Sequence, residues 1–531
     1  MSTHSVSSLR TEGVSSAQDS RITALLCAAI FGFACLPLLT TPVLPTVDFY
    51  DHISRYFVLS HVAHDRFLGQ AYQANWSILP NIGLDIVGTA LLRHEDVLAG
   101  AKMIAILVFL TQFTGLLFFS RRMVGRLDWR IALLTVPLLY SFIFTWGFAN
   151  FLLGLGLVFW GAGVWLWLRQ RLGLATVVGA IFALAIFLTH GLAFALYGLL
   201  AGGLEVGAFT SGTTNLVQFA KRLCALAAQA LLPVALFAVS ATAGASDGVS
   251  NVGLSIRHLA NQGELPHRLG ELAIYRLQTV LRVAESPALW FDVATFLVTG
   301  AVLVWLARER RLSIPKAAWP AIVLGGLLVL LVPPAMFGVG YVADRMPLFL
   351  ALLTVGSLSF KSGRDRIDAA AGSILTLLVA GRIALIAFDW SAYPQDFKAY
   401  EAIVSRIPSR SVVSYVNVLP EHRIISRRRC EMYGPLLVSL HGNAAPLFAI
   451  PTAQPMALTG RLAYALSALP VHERSTGAEA IESYAGVVET LVAQRRFDYA
   501  LLCDAGRLGP TRLAALPVVA QHGRFTLLKV R

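Results

Sequence analysis

The sequence predicts a polytopic α-helical membrane protein of about eleven transmembrane helices, followed by a C-terminal extracytoplasmic α/β domain. Of its 531 residues, 56% are hydrophobic and only 14% are charged, whereas a soluble protein carries roughly 25% charged residues. The mean hydropathy is +0.66. Long apolar runs recur along the chain without alternating apolar and polar residues, which indicates helices that satisfy their own backbone hydrogen bonds in lipid.

The apolar runs set the expected number of spans. They lie at residues 22–44, 97–119, 130–145, 150–168, 173–189, 191–209, 223–243, 289–307, 318–335, 341–360 and 369–388. With the N-terminus in the cytoplasm, the basic residues between runs fall on the cytoplasmic side, and the short opposite loops contain no Lys or Arg. This asymmetry obeys the positive-inside rule. It explains the net charge of +13 without nucleic acid as a partner.

The same topology predicts the domain organisation. We expect a disordered cytoplasmic tail at 1–21, a membrane module at 22–388 with external loops at 45–96 and 244–288, and a periplasmic α/β domain at 389–531. In that domain, the pattern predicts strands at 412–418, 498–503 and 524–530 and a helix from about residue 485. Its two cysteines, Cys430 and Cys503, are free to form a disulfide or to remain apart, and the sequence does not decide between these states.

The stretch PTVDFYDHISRYF, residues 45–57, follows the first apolar run and concentrates charge where the chain leaves the membrane. On a helix, Asp48, Asp51, His52 and Arg55 share one face. We therefore expect an amphipathic helix on the outer membrane surface. A purely structural alternative is that Asp48 caps this helix and Asp51 forms an ordinary i,i+4 ion pair with Arg55.

Three cations remain within the predicted spans: Lys102, Arg345 and Arg382. The topology places all three in the outer half of the bilayer, where an ionisable residue is costly and usually functional. Cations at one depth suit an anionic group at the outer leaflet, such as a lipid phosphate. The alternative is that their side chains snorkel to the outer headgroups.

Several motifs occur in order at predicted outer helix ends: DFYDHISR, WSILPNIGLD, WGFANFLLGLGL, LTHGLAFALYG and ADRMPLFLAL. With the acidic first loop, the span count and the C-terminal domain, they resemble glycosyltransferases of the GT-C type. More narrowly, they look like an uncharacterised bacterial branch of that superfamily. The resemblance spans most of the chain, although each motif alone is weak.

The resemblance implies a sugar transfer from a polyprenyl-phosphate donor at the outer face of the bacterial cytoplasmic membrane. A first-loop carboxylate acts as general base on the acceptor hydroxyl, and Asp48 is the first candidate and Asp51 the second. The family's acidic pair is often adjacent, whereas these two acids are three residues apart. Lys102, Arg345 and Arg382 are expected to bind the lipid phosphate. His52, Arg55 and His190 are expected to orient nearby groups.

The resemblance also implies partners and leaves cofactors open. The partners are the lipid-linked donor, membrane lipids and a glycan, lipid or protein acceptor. No cofactor is certain, and a divalent cation, Mg²⁺ or Mn²⁺, remains open because members of the superfamily differ in this respect. His61, His64 and Asp65 have a spacing that a metal site can use, but such residues are also common on wet helix faces.

Two other classes of function compete with the enzyme. A transporter or flippase for a lipid-linked glycan would be expected to show polar residues through the midplane and internal repeats. The charges here cluster instead toward the outer end, and no P-loop indicates nucleotide-driven pumping. A non-catalytic membrane scaffold would leave the polar first loop and the outer cations unexplained.

Overall fold

The computed structural model describes residues 21–240, 265–336, 340–361, 365–418, 428–447, 454–467 and 478–531. The predicted tail, apart from its last residue, and positions 244–264 of the predicted middle loop lie outside this part of the chain. The described residues form a helical bundle and a C-terminal region that contains a mixed sheet.

Eight helices are long and apolar enough to cross a membrane. They are Val97–Val124, Trp129–Trp146, Ala149–Leu168, Leu172–Thr189, Gly191–Thr210, Leu216–Ala238, Leu289–Arg308 and Arg366–Val404. The other three predicted runs coincide with shorter helices, Arg21–Ala34, Lys316–Leu331 and Val342–Gly356. Every predicted run therefore falls on a helix, but the count of eleven spans stays a prediction because three of these helices are short.

Two of the eight helices contain an interruption. Trp129–Trp146 is divided into Trp129–Leu139 and a short helix, Phe142–Trp146, which we call the turn helix. In Arg366–Val404, one helix ends at Trp390 and the next runs over Tyr393–Val404. The first interruption contacts the segment of the candidate active site, and the second lines the cavity described further below.

The segments between the long helices are structured as well. After Leu36–Thr40, the first loop contains the helix Phe49–His61, here called the loop helix, then Arg66–Ala71, the strand Tyr72–Ala74 and a second loop helix, Gly83–Leu91. The middle loop ends in the helix Leu265–Leu281. Leu312–Ser313 pairs antiparallel with Ser359–Phe360.

Close backbone contact holds the bundle together at its most extensive helix pair, Val97–Val124 against Ala149–Leu168. A Cβ on Gly115 would lie 2.5 Å from the carbonyl oxygen of Gly156, so the two helices approach at glycines. Lipid supplies no hydrophobic drive between helices, and small residues that permit close van der Waals contact are therefore favoured at such crossings.

The C-terminal region contains a four-stranded sheet. Its order is Val413–Asn417, Tyr499–Cys503, Phe525–Lys529 and Val518–His522; the first pair is parallel and the others are antiparallel. The helices here are Tyr433–Ser439, Gly460–Leu466, Ala478–Gln494 and Pro510–Ala514. The three predicted strands and the predicted helix are confirmed. The strand Val518–His522 was not predicted, because this exposed edge strand lacks a strong apolar pattern.

The first loop and the C-terminal region are joined directly. Tyr72–Ala74 pairs antiparallel with Met456–Leu458, and the loop helix packs between Gly83–Leu91 and Tyr433–Ser439. The hydroxyl of Ser54 donates to the carbonyl of Pro435 at 2.8 Å. We expected this helix to lie on the outer membrane surface. That expectation is wrong, because other helices of the protein pack against it and Arg55 is fully buried.

Candidate active site

The site is built around Asp48, whose backbone is anchored to the turn helix. The amide of Val47 donates to the carbonyl of Thr145 at 3.0 Å, and the amide of Asp48 donates to the carbonyl of Trp146 at 2.9 Å. Gly147 ends the turn helix with a positive φ of 88°. A Cβ at Gly147 would lie 2.3 Å from the amide nitrogen of Phe49, so a glycine is required for this contact.

The carboxylate of Asp48 is not used as a helix cap. Asp48 occupies the N-cap position of the loop helix, but its side chain makes no capping hydrogen bond. Loss of hydration raises the pKa of Asp48 well above its ordinary value, and the nearby carboxylates of Asp51 and Glu431 raise it further, while Arg345 opposes them. A partly buried carboxyl group with an elevated pKa is suited to proton transfer near neutral pH.

Arg345 supplies positive charge beside Asp48. Its side chain is 3% exposed, and its guanidinium lies 4.6 Å from the ring centre of Phe148 and 5.4 Å from that of Phe151. Its Nε and Nη1 are buried and make no hydrogen bond to any part of the chain that the structure describes. Buried donors are normally paired, so these two can receive the oxygens of an anionic ligand.

His190 is close to the same guanidinium. It lies between the helices Leu172–Thr189 and Gly191–Thr210, and its Nδ1 accepts the amide hydrogen of Leu192 at 3.2 Å. Burial, together with the charge of Arg345, lowers the pKa of His190 well below its ordinary value. The imidazole is therefore neutral, and this hydrogen bond assigns its proton to Nε2.

Arg55 does not form the i,i+4 ion pair with Asp51 that the sequence permitted. Its Nε donates to Oδ1 of Asp85 at 2.6 Å, and both side chains are buried. Asn150 holds the start of the second loop helix, because its Oδ1 accepts the amide hydrogen of Leu84 and its Nδ2 donates to the carbonyl of Asn81. The ion pair fixes one loop helix against the other, and Asn150 joins the second loop helix to the helix Ala149–Leu168.

His52 lies one residue beyond Asp51 on the loop helix. Its Nδ1 is buried and makes no hydrogen bond to the described residues. Burial, with the nearby charge of Arg55, lowers its pKa well below the ordinary histidine value. His52 is thus a neutral group beside the acidic pair.

Glu431 is a site residue that sequence reasoning missed. Its carboxylate acts electrostatically on Asp48, and two hydrogen bonds bring its segment to the first loop: Arg429 Nη1 donates to the carbonyl of Pro45 at 2.7 Å, and Ser54 donates to Pro435. A disulfide joins its neighbour Cys430 to Cys503, which answers the question the sequence left open. No local sequence pattern indicates Glu431 as a site residue, because it approaches Asp48 from a segment far away in the sequence.

Arg382 and Lys102 have surroundings different from those of Arg345. Arg382 Nη2 lies 2.8 Å from Oδ1 of Asp292, and both side chains are buried. Lys102 Nζ donates at 3.5 Å to the carbonyl of Leu39, at an exposed position. Arg382 thus has a carboxylate beside one nitrogen, but its Nε and Nη1, like those of Arg345, are buried without a hydrogen bond to the described residues. A phosphate role for Arg382 and for Lys102 stays a prediction.

The acidic residues do not converge as a metal-ligand set. Among the residues the structure describes, only Cys430, Cys503 and Asp504 place three ligand atoms of His, Cys, Asp or Glu within 4.8 Å of one another. The two sulfurs of that group are joined in the disulfide. Asp65, whose spacing from His61 and His64 a metal site could use, caps the helix Arg66–Ala71. We therefore derive no step through a divalent cation.

Comparisons with known proteins give a distant likeness of structure only. No protein-family model and no curated protein matches the sequence. Two crystal structures of the Archaeoglobus fulgidus oligosaccharyltransferase are similar, one tethered to an acceptor peptide containing the NVT sequon and one in the apo form. Their TM-scores are 0.42 and 0.41, with 13% and 14% identity, over 90% of this chain and 69% and 70% of those chains. At these values the likeness assigns no function.

Proposed function

We propose that the protein is a membrane-embedded glycosyltransferase of GT-C type that transfers a sugar from a polyprenyl-phosphate donor to an acceptor hydroxyl. One observation carries this proposal. A partly buried carboxyl group, Asp48, lies in the field of a buried guanidinium, Arg345, whose Nε and Nη1 make no hydrogen bond to the described chain. A carboxylate base near a buried guanidinium with two unpaired N–H groups suits the displacement of a phosphate-linked sugar.

In this reaction, the ionised carboxylate of Asp48 takes the proton of the acceptor hydroxyl. The acceptor oxygen forms a bond to the anomeric carbon as the bond from that carbon to the phosphate oxygen breaks. The departing phosphate carries the electron pair away, and Arg345 stabilises its negative charge in a site poor in water. General base catalysis of this kind contributes about 10²–10⁴-fold. Asp51 is the second candidate for the base.

The remaining site residues position these two groups. The buried ion pair of Arg55 with Asp85 orients the loop helix, and neutral His190 offers an N–H group near Arg345. We propose that His52 contacts the sugar or acceptor beside Asp51. Arg382, which contacts Asp292, and Lys102, at the helix end, remain candidates for further contacts to the lipid phosphate.

We place the site at the outer face of a bacterial cytoplasmic membrane. The distribution of Lys and Arg predicts this orientation. The disulfide between Cys430 and Cys503 supports it, because disulfides persist in oxidising compartments such as the periplasm. A lipid-linked donor presents its sugar on that side, where a glycan, lipid or protein acceptor is accessible.

The test is a release assay on the full chain in lipid nanodiscs. The protein is incubated with a panel of polyprenyl-phosphate sugars and acceptors, and released polyprenyl phosphate and new glycosides are measured by mass spectrometry. We expect release by the wild type and by Glu489→Gln, an exposed control carboxylate, but not by Asp48→Asn. Full activity of Asp48→Asn would refute its role. Movement of labelled lipid across the bilayer without a new glycosidic bond would identify a transporter instead, and stabilisation by lipid with neither result would favour a scaffold.

A further inference from the structure

A second polar site adjoins the segment that leads into Asp48. A cavity of about 100 Å³ opens where the bundle meets the C-terminal region. A single water needs only about 10–15 Å³ by the same kind of measure, so the space is large enough for a ligand fragment. Its floor includes Glu285, Trp390 and Tyr393, which are buried, and its rim includes Asp389 and Arg428, which are exposed.

Glu285 is the feature of this cavity that most needs a ligand. The residue is 6% exposed. The hydroxyl of Thr145 lies near its carboxylate, but neither carboxylate oxygen has a partner with hydrogen-bond geometry among the described residues. The nearest cation, Arg429, places Nη2 4.0 Å from Oε1 of Glu285, beyond hydrogen-bond distance. A buried carboxylate without hydrogen bonds is costly, and a ligand hydroxyl would satisfy it.

The charges around the cavity balance. The lining includes two carboxylates, Glu285 and Asp389, and two guanidinium groups, Arg428 and Arg429. Arg428 also pairs with Asp396, outside the lining. A ligand with net charge would be repelled by one of these pairs, whereas a neutral polyol can donate hydroxyl hydrogens to the carboxylates and accept hydrogens from the guanidiniums. A phosphate-bearing donor is thus better matched to Arg345 than to this cavity.

Aromatic rings give the cavity a surface for the apolar face of a sugar. The ring of Trp390 packs edge-on against Tyr140 at 6.0 Å between centroids, and Tyr393 completes this wall. Its hydroxyl is held in place, since it accepts the amide hydrogen of Arg429 at 2.9 Å. Aromatic walls with a few fixed polar groups are typical of specific small-molecule sites.

The cavity is connected to the candidate active site by the first loop. Thr145 lines the cavity, and its carbonyl accepts the amide hydrogen of Val47. Arg429 also lines it, and its Nη1 binds the carbonyl of Pro45. The cavity wall is therefore bonded to the residues that lead directly into Asp48.

We infer that this cavity binds one sugar ring of a neutral acceptor glycan, with Glu285 and Arg429 bonding its hydroxyls and Trp390 contacting its apolar face. The inference rests on the proposed function, because it assigns the acceptor rather than the donor to this site. It narrows the acceptor classes to those that carry a neutral sugar.

Binding is tested separately from catalysis. Methyl glycosides of neutral hexoses and pentoses are titrated against the full chain in nanodiscs, with saturation-transfer NMR and tryptophan fluorescence as readouts. We expect at least one probe to bind the wild type. Glu285→Gln should bind that probe about tenfold more weakly through loss of a charge-assisted hydrogen bond, whereas the exposed control Glu489→Gln should bind it as the wild type does. If Glu285→Gln fails to fold, the exposed variant Asp389→Asn, with a smaller expected loss, decides.

Each negative result has a definite meaning. The inference is overturned if no probe binds the wild type. It is also overturned if both cavity variants bind the probes as tightly as the wild type does. If a probe binds but no donor gives sugar transfer, the cavity is a sugar-binding site and the proposed glycosyltransferase function is refuted. Where transfer is observed, Glu285→Gln should raise KM for the acceptor while kcat and the donor KM stay unchanged. An unchanged acceptor KM would show that the acceptor does not bind in the cavity, while the enzymatic activity itself would still be established.

Discussion

Gly147→Ala tests whether the position of Asp48 depends on the turn helix. The added Cβ would lie 2.3 Å from the amide nitrogen of Phe49 and 2.9 Å from its Cα, whereas ordinary contact begins at 3.4 Å. The atoms it meets are backbone, so rotation of a side chain cannot relieve the overlap. The first-loop segment at Asp48 and Phe49 must therefore move by roughly 1 Å, a displacement of the size that costs about 10²-fold in rate at a reacting centre.

The same change also strains the backbone, and a second glycine separates the two effects. Gly125 ends the helix Val97–Val124 with a φ of 89°, nearly equal to the 88° of Gly147, and nothing lies within 4 Å of its added Cβ. An alanine in this conformation costs roughly 1–2 kcal/mol at either position. Gly125→Ala therefore reproduces the loss of stability that comes from backbone strain, without displacing Asp48.

The assay compares single-turnover release of polyprenyl phosphate by Gly147→Ala and Gly125→Ala, after thermal unfolding has shown that both variants fold. We expect release about 100-fold slower for Gly147→Ala than for Gly125→Ala. Rates of the two variants within about threefold of each other would refute the idea that Gly147 positions the catalytic base.

Four further outcomes follow from the structure. Asp48→Asn should slow single-turnover release by about 10²–10⁴-fold. Because burial, with two neighbouring carboxylates, raises the pKa of Asp48, the wild-type rate should increase with pH along a limb above the ordinary aspartate range. Arg345→Lys should weaken binding of polyprenyl phosphate about tenfold or more, because lysine keeps the charge but loses the planar guanidinium fork. Reduction of the disulfide between Cys430 and Cys503, with a sequence separation of 73, should lower the free energy of unfolding by about 4 kcal/mol.

The pH dependence of stability has a defined sign. The pKa of Asp48 is higher in the folded protein than in the unfolded chain, so the folded state binds this proton more tightly. Its stabilising contribution is present at acid pH, below the unfolded pKa, and is lost as the pH rises through the folded pKa. Asp48→Asn should remove this part of the dependence, measured by denaturant unfolding across the pH range, and an identical pH profile in the variant would contradict the raised pKa.

Matched controls apply to the remaining variants. Arg121→Lys changes an exposed arginine on the helix Val97–Val124, and lipid-phosphate binding by this variant should equal that of the wild type. Equal binding by Arg345→Lys as well would show that Arg345 does not hold the phosphate. Unfolding curves that coincide with and without reductant would show that the cross-link between Cys430 and Cys503 contributes nothing to stability.

The sequence by itself predicted the helices and most of the sheet. Apolar runs become helices wherever they enter lipid, because composition and backbone hydrogen bonding are local properties. The same holds for the strands at 412–418 and 524–530, whose apolar pattern needs no partner to be recognised. Sequence also singled out Asp48 and Arg345, because a charge at the outer edge of an apolar run is conspicuous whatever it contacts.

Only the tertiary structure decided which charges meet. Arg55 pairs with Asp85, 30 residues away, rather than with Asp51, and Arg429 reaches Pro45 across 384 residues. Helical spacing offers only partners three or four residues apart, whereas packing of the loop helix beneath Tyr433–Ser439 brings Glu431 toward Asp48 from the far end of the chain. The apolar helices could therefore be predicted from local composition. The electrostatics of the site depend on contacts that form only when the chain is folded.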